Sequence, residues 1–225
     1  MSISFPAGAV TRAVLSAIVL LYIAQPAIAE ICIDVDLRFT GPAPPPALVR
    51  SLQRETTAIW GVYDVHVLWS TAADACPTAA GQFDAVVDDR RSPSATAPVT
   101  LGRTHVVPPR AGRIPIQVHR GATGDLIALL RAEDVTRLTG HPVPSPYDIG
   151  RALGRVLAHE IGHVLLGASH QPRGLMRARF LALDLIALPT RPYYLLEDDV
   201  RRLREQPCLL TAGAVTCAIS PLTGR

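Results

Sequence analysis

Lysine and asparagine are missing from this chain of 225 residues, aromatic side chains make up only 5% of it, and no apolar run is long enough to span a bilayer. Without asparagine there is no N-glycosylation acceptor. Without lysine, all 22 basic side chains are arginines, which together with the abundant alanine reads as a codon-composition bias. They face 19 acids, so the formal charge is only +3, and its dispersal argues against a nucleic-acid partner. There is no low-complexity tract, no internal repeat and no CxxC pair. With 48% apolar against 18% charged residues, disordered, collagen-like and coiled-coil architectures are excluded.

What is present begins with an export pattern. Residues 1–11 carry no acid, Arg12 supplies a positive charge, Ala13 to Ala24 form an apolar stretch, and Ala27-Ile28-Ala29 matches the small-x-small cleavage rule. Residues 1–29 therefore read as a signal peptide and residues 30–225 as one domain, secreted or periplasmic, with no membrane contact after cleavage. An uncleaved anchor is the alternative, disfavoured because the apolar stretch is shorter than the ~20 residues of a spanning helix. Cys32, Cys76, Cys208 and Cys217 all follow the cleavage site. An even number in an exported chain suggests two disulfides. Three pairings are open, of which Cys208 with Cys217 and Cys32 with Cys76 are the expected ones.

Cys32 to Phe39 alternates as a half-buried strand does, and Ala47 to Tyr63 carries Leu48, Leu52, Ile59 and Val62 near helical spacing. Val65 to Trp69, Phe83 to Val87, Val99 to Val107 and Arg113 to Val118 are strand-sized, with a loop expected over Asp88 to Pro98 and a helix over Gly124 to Leu138. Ser145-Pro146-Tyr147-Asp148 marks a helix start, with serine at the N-cap, proline at the first position and an acid three residues on. That helix is expected to run to Leu166 and stop at Gly167. Gly150, Gly154, Ala158 and Gly162 make a small-residue stripe along it where another element can pack closely. Leu196 to Gln206, with acids before arginines, is the last expected helix.

Within the long helix stands His159-Glu160-Ile161-Gly162-His163. A spacing of four sets His159 and His163 one turn apart on one face, where two imidazoles can share a zinc ion, and puts Glu160 beside that face. Gly167 can reverse the chain and His170 can return a third imidazole. Met176, the one methionine besides the initiator, follows. His66, His105, His119 and His141 read as structural or exposed, and Tyr193 and Tyr194 as packing aromatics more than as groups that touch substrate.

From Ser145 to Met176 these features resemble the metzincin clan of zinc peptidases, whose pattern is HExxHxxGxxH with a following methionine turn, and Gly174-Leu175-Met176 is most similar to the matrixin arrangement. The resemblance implies an α+β fold: a mixed twisted sheet with an active-site helix, a Met-turn and a C-terminal helix. It implies a zinc metalloendopeptidase acting on a peptide or protein substrate, with His159, His163 and His170 holding zinc, Glu160 as general base and Met176 as an apolar floor. It places an extended substrate antiparallel to an edge strand, either Val99–Val107 or Arg113–Val118. The chain departs from the pattern in having one extra residue between His163 and Gly167. At ~100° per residue this rotates the turn, so Asp184 stands as a rival third ligand of the gluzincin kind. Ala178 replaces the tyrosine of astacin-like members, and no cysteine-switch motif is present. The competing functional class is an exported, zinc-stabilised binding protein without turnover.

Overall fold

Alternation of apolar and polar residues along the strands gives the sheet one buried face. Ile33 and Val35, Val65 and Val67, Phe83, Ala85 and Val87, and Ile114, Ile116 and Val118 are all buried, while Asp34, Asp36, Gln82, Asp84 and Gln117 point the other way. The computed structural model describes residues 31–70, 81–91, 100–104, 113–167, 170–188, 193–205, 209–211 and 214–216. Residues 1–29, with the expected signal peptide, and His105, Cys76, Cys208 and Cys217 lie outside them, and with these the two expected disulfides. Cys32 is buried.

Five strands, β1 (Ile31–Phe39), β2 (Val65–Trp69), β3 (Gly81–Asp88), β4 (Gly102–Thr104) and β5 (Ile114–His119), form a sheet in the order β2-β1-β3-β5-β4. All neighbours are parallel except β4, which runs antiparallel to β5 at the edge. Six helices are described: α1 (Pro46–Gly61), α2 (Arg120–Ala128), α3 (Ala132–Thr139), α4 (Pro146–Leu166), α5 (Ala182–Ile186) and α6 (Glu197–Glu205). A short hairpin, β6 (Leu209–Thr211) and β7 (Ala214–Thr216), follows them. None of these helices is long and apolar enough to cross a membrane. Two sequence expectations are corrected. Gly124 to Leu138 is two helices, broken at Leu129–Arg131, where a new first turn begins with Glu133 and Asp134. Arg113–Val118 is largely the interior strand β5, hydrogen-bonded on both sides, so β4, within Val99–Val107, is the edge.

The long helix α4 starts as expected. Ser145 and Asp148 make a reciprocal capping box, with Pro146 in the first turn, and Gly167 closes the helix at φ 56°, a conformation that disfavours residues with a Cβ. It is buried nearly all round. The small-residue stripe is where α1 and α4 meet. A Cβ added at Gly154 would stand 2.6 Å from the Leu52 carbonyl oxygen and 2.9 Å from Glu55 Cβ, and one at Gly150 would stand 2.8 Å from Ser51 Cβ. Backbone therefore lies against backbone. Across the same interface the wholly buried Arg155 is matched by Glu55 at 2.7 Å and by the Asp184 carbonyl at 2.5 Å, as a buried guanidinium requires.

Gly154→Ala is expected to destabilise the protein by about 1–3 kcal/mol through overpacking, although alanine is the better helix former. Gly124→Ala, in α2 with open space around the site, is expected to stabilise it by up to about 1 kcal/mol. Urea unfolding of the two variants checks both signs, and equal shifts would contradict the packing argument.

Candidate metal centre

Three imidazoles converge where α4 ends. His159 and His163 come from its last two turns and His170 from the segment beyond Gly167, and one ring nitrogen of each lies within 4.8 Å of the others. Ring centroids are 4.6 Å apart for His159 and His163, 4.8 Å for His163 and His170, and 5.4 Å for His159 and His170. The extra residue before Gly167 thus does not keep His170 away. Asp184 is not part of the group: its carboxylate pairs with Arg177 at 2.7 Å.

The donor set suits a zinc ion. His159 Nδ1 is 2.7 Å from the Leu175 carbonyl oxygen, which can only accept, so Nδ1 carries the proton and Nε2 presents a lone pair. Burial pushes the His159 pKa down to about 4, with His163, His170 and Arg177 adding to the effect, so the ring is neutral at physiological pH, the form that ligates. Burial also lowers His170, followed by the effect of His163. His159 Nε2 and His163 Nε2 are 3.0 Å apart. Two nitrogens each ~2.0–2.1 Å from one tetrahedral ion lie about 3.3 Å apart, close to this spacing.

A turn props the centre from below. Gly174 at φ 79° lets Leu175 N–H donate to the Tyr194 carbonyl at 2.7 Å, and Gln171 N–H donates to the Met176 carbonyl at 2.7 Å. Met176 is buried, with its sulfur against Gly162 where any Cβ would clash. Gly162 stands on the helix between His159 and His163, so the sulfur packs against the segment that carries both. Phe180 sets its ring edge-on to His159 at 5.1 Å and stacks on Tyr193 at 5.8 Å. Tyr193 is buried between the guanidiniums of Arg155 and Arg177, 4.7 and 5.2 Å from its ring centre, and burial raises its pKa. It packs the turn, and Tyr194 contributes its carbonyl while its ring is partly exposed.

Glu160 lies beside the triad, 6% exposed, with its carboxylate toward β4. Thr104 Oγ1 donates to Oε2 at 2.7 Å. Burial raises the Glu160 pKa to about 6, opposed by the Thr104 hydrogen bond and by His119. His119 is itself buried and bonded to Asp88 at 2.8 Å, as a structural histidine would be. Thr104, Leu175 and Phe180 are the site residues the motif did not announce. Leu175 acts through its main chain, which no residue type signals.

No protein-family model matches the chain, and no curated protein does. Among solved structures it is similar to an archaemetzincin from Methanopyrus kandleri, with a TM-score of 0.44 and 14% sequence identity over 80% of this chain and 96% of that one.

Replacing His159, His163 or His170 by alanine is expected to weaken zinc binding at least about tenfold, while Asp184→Asn keeps one equivalent. Chelator competition measures both. Retention of zinc by His170→Ala with its loss in Asp184→Asn would reverse the assignment of the third ligand.

Proposed function

We propose that the chain is an exported zinc endopeptidase of metzincin type, with His159, His163 and His170 as the metal ligands and Glu160 as general base. The observation that carries this reading is the conjunction of a convergent imidazole triad with a buried carboxylate on the adjoining residue, under an antiparallel edge strand. A structural zinc site needs no base and usually closes its fourth position with a fourth protein ligand. Among the described residues, the group holds three candidate ligands. Export is supported by the charge, apolar stretch and cleavage pattern of residues 1–29.

In this reading the peptide lies extended along the outer edge of β4, antiparallel to it, with its scissile bond over the triad. Zinc, when bound, supplies Lewis acidity, which brings the pKa of water toward ~7 and polarises the peptide carbonyl. Glu160 takes the proton of the attacking water and delivers it to the leaving amine. A pKa near 6 suits both halves of that task, since the carboxylate is ionised at neutral pH yet basic enough to accept a proton. His159 keeps its tautomer through the Leu175 carbonyl, and Met176 keeps the floor apolar and closely packed. Of the leucines after the turn, Leu185 is buried in the core, while Leu181 and Leu188 are exposed and available to contact a substrate.

The test is cleavage of an unbiased peptide mixture by zinc-loaded Glu30–Arg225 beside Glu160→Ala at matched metal content. Cuts by the wild-type protein, reduced by about 10²- to 10⁴-fold in the variant, are the expected result. No cuts from either, with one equivalent of zinc bound, would favour the metal-stabilised binding protein.

A further inference from the structure

Strand β4 has only three residues, and alternation turns Gly102 and Thr104 toward α4 and exposes Arg103. Both inward positions meet the same side chain. A Cβ at Gly102 would stand 2.8 Å from Glu160 Oε1, 2.9 Å from its Cγ and 3.0 Å from Val156 Cγ1, so the absence of a side chain there is what leaves the carboxylate its place. Two residues on, the Thr104 hydroxyl is 2.7 Å from Oε2 and 3.0 Å from the main-chain carbonyl oxygen of Glu160. A hydroxyl has one hydrogen and two lone pairs, and the shorter contact is the charge-assisted one. It therefore donates to the carboxylate and keeps the carbonyl as an alternative acceptor.

We propose that Thr104 is a positioning residue, which holds the Glu160 carboxylate in one rotamer and registers it to the edge strand. This rests on the reading of Glu160 as general base. The glutamate side chain has three rotatable bonds, and nothing on α4 itself fixes its end: the hydrogen bond and the steric boundary both come from β4. That strand pairs with β5 on one side, and among the described residues its other edge pairs with no strand. An extended peptide added there would be set in register with the strand that also holds the base. The distance between a substrate carbonyl and the Glu160 oxygens is then a property of β4, independent of small movements between helix and sheet. Thr104 touches neither substrate nor water in this account; it acts through Glu160.

The test compares Thr104→Val, which keeps the shape and removes the hydroxyl, with Thr104→Ser, which keeps the hydroxyl. For the zinc-loaded enzyme, Thr104→Val is expected to lower kcat by about 10- to 100-fold with KM nearly unchanged, and Thr104→Ser to restore most of it. In crystals of the protein without zinc, Thr104→Val is expected to show the Glu160 carboxylate turned or split between rotamers, and Thr104→Ser to show it in place. A carboxylate unmoved in Thr104→Val, or a serine variant as slow as the valine one, would overturn the proposal. If the wild-type protein cleaves nothing, the reading of Glu160 as a base fails, and the crystallographic comparison still decides whether Thr104 holds its carboxylate.

Discussion

Gly150 and Gly154 bring the carbonyls of α1 against the backbone of α4, and Gly162 brings the sulfur of Met176 against the same helix between two of the histidines. Each glycine costs roughly 1 kcal/mol of helix propensity, and the close approach it permits is what offsets that cost. Because Met176 seats against Gly162, the preceding carbonyl, that of Leu175, reaches His159 Nδ1 and fixes which nitrogen of that ring faces the other two. A methyl group at Gly162 would push the turn away and release the tautomer. His159, a candidate metal ligand, is thus oriented by packing at a position that carries no functional group of its own.

The arginines of α4 make the second tie. Arg151 donates to the Ile186 carbonyl at 2.7 Å and Arg155 to that of Asp184, so both side chains satisfy main-chain oxygens of α5. A buried guanidinium without partners costs several kcal/mol, and here the partners are drawn from the segment that follows the turn, together with Glu55 of α1. Arg177, from the turn itself, pairs with Asp184 and lies over both Phe180 and Tyr193. The segment beyond Met176 is held to the helix by charge and aromatic contact. That same contact engages the carboxylate that the sequence offers as a rival third ligand, and it stands outside the group of converging imidazoles.

What could be read from sequence was local. The capping box at Ser145, the stop at Gly167, the four-residue spacing of His159 and His163 and the small-residue stripe each depend on neighbours within a turn or two, and each stands in the structure. The stripe's partner could not be read, since nothing in Gly150 or Gly154 says that α1 lies opposite. The break at Leu129–Arg131 escaped because no proline or glycine marks it, and α5 escaped because its leucines read equally as pocket wall or core. Leu185 and Ile186 turn out buried, whereas Leu181 lies on the surface. The extra residue before Gly167 suggested a displaced third ligand. His170 nonetheless stacks parallel to His159, within 10°, so the added residue does not carry the third imidazole away from the other two. Thr104 and Gly102 carry no motif, and their importance exists only once β4 is laid across Glu160.

Zinc K-edge absorption of the loaded protein tests the account most directly, because it reads ligands whether or not a substrate is known. Three imidazole nitrogens at about 2.0–2.1 Å and one further light oxygen donor are predicted, with one imidazole lost in His170→Ala. Two imidazoles with a protein carboxylate, or a fourth protein ligand closing the site, would contradict it.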